Sequence, residues 1–162
     1  MADKYQQLMG AVNPVSGPYH NFTTTEPVGL VTLVTDDKLS LVNLFAEISS
    51  VMCGGNSLIV LLGKEAQPLL STIAEVIHTS DVPAGTVNLL SADLDEVKSS
   101  LATHMEIRSI GFQNDRKEVF SELQLKGIDN MKRMLPKKNR MDSLEAVLDF
   151  VEYKTAWHPI GY

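Results

Sequence analysis

Apolar positions along this chain switch between two periods. Short runs rich in Val, Leu, Ile and Thr alternate with longer stretches in which apolar residues recur every third or fourth position. Residues 28–35 form the first run, behind a Pro and beside a Gly, and read as a buried strand. Leu39, Val42, Leu44, Phe45, Ile48 and Met52 then fall at helical spacing. A helix is expected to about Met52, with Asp36 or Asp37 as its N-cap and Gly54-Gly55 as its stop. Residues 57–62 are a short apolar run of the kind found in parallel strands covered on both faces. The pattern repeats: a helix over 66–79, a strand over 86–90 opened by Pro83-Ala84-Gly85, a helix over 93–103 capped by Asp93, and a strand over 106–110 ending at Gly111.

Beyond Gly111 the regularity weakens. The spacing predicts helices over 115–123, 127–134 (broken by Pro136) and 143–148 (capped by Asp142 or Ser143). Residues 150–158 alternate and carry aromatic and β-branched residues, so a strand is expected there. Residues 1–20, with Asn13-Pro14 and Ser16-Gly17-Pro18, read as a loosely structured arm after a short helix over 2–9. Strands alternating with helices of this length imply right-handed crossovers. The fold class is therefore α/β: a three-layer, Rossmann-like parallel sheet of about four strands with flanking helices, plus an extended C-terminal strand. The chain divides into an arm (1–21), an α/β domain (22–135), and a C-terminal helix and strand (136–162).

The 162 residues fit one domain, and an apolar share of 44% is enough to build a core. A net charge of −6 without a basic stripe argues against nucleic acid as a partner. The one basic cluster, Lys137, Lys138 and Arg140, reads as a solvated loop. Cys53 is the single cysteine, which rules out an internal disulfide and suggests a reducing compartment. Neither a signal-peptide pattern nor a membrane-length apolar run is present, so a cytoplasmic protein without a membrane partner is expected. His20, His78, His104 and His158 lack metal-ligand spacing, and no metal site is expected. There is no Gly-x-Ser-x-Gly elbow and no Walker loop. At the end of an apolar helix, Cys53 reads as a buried, inert thiol.

Three pieces occur in an informative order: Glu26-Pro27-Val28-Gly29, Gly55-Asn56-Ser57 and Pro83-Ala84-Gly85-Thr86-Val87-Asn88. Together they cover about residues 22–111 and resemble the first half of the cofactor-binding domain of the aldehyde dehydrogenases. A fourth piece, residues 150–157, is similar to that family's C-terminal strand, which joins subunits in complete enzymes. The family's catalytic Cys and general-base Glu belong to segments that this chain is not expected to contain. A start at Met1 and a family-like end at Tyr162 argue against a cut piece.

The departures from the family pattern fall at chemically active places. Asp36-Asp37-Lys38 stands where the family has Pro-Trp-Asn, whose Asn helps hold an oxyanion. A Lys donor there suits negative charge, while Asp36 and Asp37 work against it. Lys64 and Glu65 follow the second strand, where the family has a Lys and a Glu that grip the cofactor's ribose. They serve that role after a shift of one residue, or they are ordinary solvated residues at a helix start. Gly111 matches the first Gly of the family's pyrophosphate loop, whereas Phe112, Gln113 and Arg116 replace its Ser, Thr and second Gly. Phe112 would crowd a dinucleotide, Asp115 would repel phosphate and Arg116 would attract it.

The expected function is a non-catalytic, dehydrogenase-like module of protein assembly, joining itself or a larger subunit through the C-terminal strand. Tyr153, Thr155 and Trp157 are the expected interface residues, with Trp157 either an anchor or a core aromatic. An exposed strand edge of this kind invites pairing. The alternative is NAD or NADP binding, as a sensor or as part of a split enzyme, through Lys64, Glu65, Gly111 and Arg116. On the first reading no cofactor is needed.

Overall fold

A computed structural model describes residues 4–38, 40–138 and 143–161. In chain order the elements are α1 (Tyr5–Met9), β1 (Ala11–Asn13), β2 (Tyr19–Pro27), β3 (Leu30–Val34), α2 (Leu41–Cys53), β4 (Ser57–Leu61), α3 (Leu70–His78) and β5 (Val87–Leu90). These are followed by α4 (Leu94–Thr103), β6 (Ile107–Phe112), α5 (Lys117–Gly127), β7 (Arg133–Leu135), α6 (Leu144–Leu148) and β8 (Val151–Pro159). None of the described helices is long and apolar enough to cross a membrane.

The main sheet is parallel, in the order β5-β4-β3-β6-β7. Its two faces carry separate cores. On one, Leu44, Ile48 and Val51 of α2 and Ile73 of α3 pack on Val31, Leu33, Leu58 and Val60. On the other, Leu101, Val119 and Leu123 from α4 and α5 pack on Val34, Leu61, Ile110 and Phe112. The continuous apolar character of β3 and β4 follows from this burial on both sides. Because the chain leaves β3 first toward β4 and β5 and later toward β6 and β7, the strand order reverses between β3 and β6. A crevice opens at the strand ends beside that reversal, the place where open α/β sheets hold ligands.

The three-layer architecture agrees with the pattern in the sequence, and a fifth strand adds to the four expected. That strand replaces part of the helix expected over 127–134. There α5 ends at Gly127, a single 3-10 turn spans Ile128–Asn130, and Met131 takes a left-handed conformation (φ 49°) that redirects the chain. Arg133, Met134 and Leu135 then pair with Ser109, Ile110 and Gly111. The open edge of β6 is a long-range partner, and it overrides local helix propensity.

The loose arm expected over 1–20 is corrected in the same way. β1 and β2 belong to a second, antiparallel sheet in the order β1-β2-β8. β2 and β8 pair along their full length, from Tyr19 opposite Pro159 to Pro27 opposite Val151. β8 is exposed from Tyr153 onward, and β2 carries mostly polar residues with Asn21 as its one fully buried position, which left no apolar alternation to read in β2.

The caps are partly as expected. Asp93 caps α4 by accepting from Asp95 N, and Ser143 caps α6 by accepting from Ala146 N. At α2 the cap is Ser40, accepting from Asn43 N, because Asp36 and Asp37 hold the preceding turn instead. The expected contributions of residue 2, Leu39, Arg140 and Asp142 lie outside the described residues.

Candidate functional site

The carboxyl ends of β3, β4 and β6 carry the polar groups nearest the reversal. Thr35 follows β3 and is fixed by two hydrogen bonds: its hydroxyl donates to the Leu61 carbonyl (3.1 Å) and accepts from Gly63 N (2.8 Å). Asn114 follows β6, donating from Nδ2 to the Thr35 carbonyl (3.3 Å) and accepting from Arg116 N (3.1 Å). These links close the gap between the two strands and leave one hollow on each side of Thr35.

The smaller hollow lies on the α4 side and has a volume of about 40 Å³. Lys64 and Arg116 both line it, so two of the four expected cofactor residues are brought together. Glu65 is exposed, and its backbone N donates to the Asp37 carbonyl. Gly111 is elsewhere. It is buried inside β6 and faces α2, where an added Cβ would stand 2.7 Å from Leu33 Cδ2 and 3.4 Å from Phe150 Cζ. The glycine there serves side-chain packing across the sheet.

Phe112 requires a correction. The strand runs one residue past Gly111, which turns Phe112 into the α5-side core, against Phe120 at 5.3 Å between ring centroids. It is buried and does not enter the crevice. Arg116 is already engaged, since its Nη2 lies 2.9 Å from Asp95 and its Nε 3.7 Å from Glu118. Lys98 and Arg116 together hold the Asp95 carboxyl below the usual carboxylate range. Asp115, expected to repel phosphate, faces Lys137 at 2.8 Å.

The larger hollow lies on the α2 side and has a volume of about 160 Å³. Lys38, which the resemblance was expected to place at an oxyanion position, lines it beside Ser40, Asn43, Gln113 and Glu47. Lys137 and Lys138 lie in an exposed loop, as expected, and both are ion-paired there, while Arg140 lies outside the described residues. Lys137 bridges Asp36 (2.7 Å) and Asp115 (2.8 Å), and Lys138 pairs with Asp149. Burial alone would raise the Asp36 carboxyl, but the hydrogen bond and charge of Lys137 outweigh it and hold the group low. Asp36 is thereby neutralised, so its expected opposition to an anion near Lys38 is removed.

Glu47 was missed in the sequence, although a signal was present. It stands three residues after Leu44 and four before Val51, on the face of α2 that packs inward. Its side chain is 4% exposed, and burial pushes its carboxyl up to about 8 against the opposing pull of Lys137. Cys53 is half-buried against the small cluster around Tyr5, Val147 and Val151 and does not reach either hollow. Among the described residues, no three His, Cys, Asp or Glu side chains gather as metal ligands.

The expected interface residues form one row. Tyr153, Thr155 and Trp157 alternate along β8 on the same face, opposite Thr25, Thr23 and Asn21. Trp157 is 62% exposed and Tyr153 52% exposed, so Trp157 is not a core aromatic. The Trp157 ring meets Tyr19 edge-on at 6.0 Å, and the Thr155 and Thr23 hydroxyls are 3.0 Å apart. The far edge of β8 has no strand partner among the described residues.

Residues 1–135 match the model of the aldehyde dehydrogenase family. The chain is similar to aldehyde dehydrogenase, cytosolic 1 of Elephantulus edwardii, with 26% identity over 68% of this chain and 22% of that protein. A putative aldehyde dehydrogenase, DhaS, of Bacillus subtilis (strain 168) is 30% identical over 65% of this chain and 21% of its own. Among solved structures, an NAD+ complex of a Bacillus cereus aldehyde dehydrogenase superposes with a TM-score of 0.75 at 18% identity, covering 83% of this chain and 28% of that one. The chain thus spans between a fifth and a quarter of the length of the curated relatives it matches.

Proposed function

This chain belongs to the aldehyde dehydrogenase family, and from that membership we propose that it is a non-catalytic module of protein assembly, joining a second copy or a larger subunit through β8. The observation that carries the proposal is the outer edge of the nine-residue β8, which has no strand partner among the described residues, with Tyr153 and Trp157 exposed in one row with Thr155. An edge of that length left unpaired is open to non-specific association, and pairing across a two-fold axis removes the liability. Trp and Tyr are the side chains that most often anchor such contacts.

The crevice supports the same reading. A hollow of about 40 Å³ does not fit a dinucleotide, whose binding sites run to roughly 300 Å³ and more. The cation best placed for a phosphate, Arg116, is held by Asp95 and Glu118. A cytoplasmic setting belongs to the proposal, in line with a relative named as cytosolic.

Light scattering over a range of protein concentrations, with native extract run alongside, tests the assembly. A dimer or larger complex that becomes monomeric in Trp157→Ala is expected. A wild-type chain that stays monomeric at every concentration and forms no complex in extract overturns the reading.

A second reading, NAD or NADP binding as a sensor or as part of a split enzyme, rests on Lys64 and Arg116 sharing the crevice and on the NAD+ bound by the Bacillus cereus relative. It requires Arg116 to exchange Asp95 for a phosphate. Micromolar binding in calorimetric titrations with NAD and NADP would establish it over the purely structural reading.

A further inference from the structure

Glu47 is a buried carboxyl that makes no hydrogen bond or ion pair with any described residue, and it opens into a hollow of about 160 Å³. Buried carboxyl groups are nearly always partnered, so an unpartnered one at the floor of a cavity marks a place where something else supplies the partner. Among the described residues, few charged groups line the two hollows that Glu47 borders. Asp36 and Lys38 come from the turn after β3, Lys137 and Lys138 from the segment after β7, and Asp149 from the end of α6. Lys137 is satisfied by Asp36 and Asp115, and Lys138 by Asp149. Lys38 alone in this set has no ion pair among the described residues.

The groups left over are therefore mostly donors. Burial keeps Glu47 protonated through neutral pH, which makes its O–H a donor. The Lys38 ammonium is a second donor, and the Gln113 and Asn43 amides stand on the wall beside it. Leu44 supplies an apolar contact. We propose that this hollow binds a small aliphatic monocarboxylate, whose carboxylate oxygens accept hydrogen bonds from the Glu47 carboxyl and the Lys38 ammonium.

Each feature of the ligand follows from the wall. An O–H donating to a carboxylate is among the strongest hydrogen bonds available to these groups. A cation is repelled by Lys38, which has no ion pair among the described residues. A dianion such as phosphate brings a second charge that Lys38, the one cation of this set without an ion pair among the described residues, does not match. The volume admits only a few carbon atoms. This inference does not depend on assembly through β8, which lies on the other sheet.

The test is titration of the whole 162-residue chain with acetate, propionate and butyrate, read by calorimetry and by the amide shifts of Asn43 and Gln113. Saturable binding is expected at pH 6, weakening about tenfold or more by about pH 9, as Glu47 ionises and its proton is lost as a donor. Glu47→Gln keeps a neutral donor in the same shape, so it is expected to retain binding and to lose the pH dependence. Lys38→Met is expected to weaken binding about tenfold, as removal of a charged donor does. Four outcomes overturn the proposal: no saturable binding at pH 6, equal affinity at both pH values, tighter binding of inorganic phosphate or ethylamine, or shifts that map away from the hollow. Circular dichroism of both variants separates a lost site from a lost fold.

Discussion

Asn56 and Phe150, 94 residues apart, are joined by a hydrogen bond of 2.8 Å from the Asn56 side-chain amide to the Phe150 carbonyl. The same side chain accepts from Gly29 N (3.0 Å) and donates to the Val51 carbonyl (3.0 Å). One buried amide therefore ties the start of β3, the end of α2 and the entry to β8. Asn56→Ala removes the Asn56 partner of the Gly29 N–H and the Val51 carbonyl in a site that is 2% exposed, and leaves the Phe150 carbonyl with only the 3.5 Å bond from Val28 N. A loss of about 2–4 kcal/mol is expected in urea unfolding, with the far-UV spectrum of the folded state unchanged. A loss below about 0.5 kcal/mol would mean that the link between the two sheets is not made in solution.

Glu47 gives stability a pH dependence of definite sign. Its folded pKa, about 8, lies above the 4.5 of an exposed Glu, so the folded state holds the proton more tightly than the unfolded chain. Stability attributable to this group is full below about pH 4.5 and falls as pH rises toward about 8. Glu47→Gln removes that slope. At about pH 9 the variant is expected to exceed the wild type by up to roughly 4 kcal/mol, and at about pH 4 to match it. Parallel melting curves at the two pH values measure the difference, and equal gains at both would assign the effect to something other than ionisation.

Gly63 packs backbone on backbone. A Cβ at this position would stand 2.1 Å from the Asp36 carbonyl oxygen and 2.8 Å from Asp37 Cα. Gly63→Ala must displace the turn after β3 and break the bond from Gly63 N to the Thr35 hydroxyl. A cost on the order of 3 kcal/mol is expected. Gly111→Ala meets the tip of the Leu33 side chain instead and is expected to cost less, about 1–3 kcal/mol through overpacking. Denaturation midpoints in the reverse order would contradict the geometry.

Asp95 holds Arg116 in an exposed pair, so releasing it should be nearly free of cost to the fold. Asp95→Asn is expected to leave the urea midpoint unchanged. It also isolates the question of nucleotide binding. If Arg116 is the phosphate contact, the variant binds NAD or NADP more tightly than the wild type in calorimetry. If neither protein binds, the crevice has no part in nucleotide binding.

Trp157 and Tyr153 offer a test of the strand edge that spares the core, because both are more than half exposed. Trp157→Ala is expected to abolish self-association while moving the thermal midpoint by only a few degrees. Association that survives the double variant Tyr153→Thr, Trp157→Ala in sedimentation would place the contact elsewhere.

The parallel sheet and its helices were legible from local signals in the chain. Buried parallel strands must be apolar throughout, helices over them must repeat near 3.6 residues, and both signals are local. Asp93 and Ser143 were legible as caps for the same reason, since a cap acts on residues two or three places away. The family pieces at Glu26, Gly55 and Pro83 stand at strand entrances, where turn chemistry restricts the choice of residue. Tertiary structure decided the rest. β2 has polar residues at most positions, its one fully buried residue being Asn21, so it shows no apolar period and its pairing with β1 and β8 makes it a strand. β7 exists because β6 presents an open edge to a segment whose local pattern favours helix. Phe112 lies in the core because the strand continues past Gly111 and successive residues of a strand face opposite sides. Glu47 was legible as a charge on an apolar face, but its isolation depends on where Lys137 and Lys138, some ninety residues later, find their carboxylates. Local periodicity fixes which face a residue presents; only the folded chain fixes what meets it.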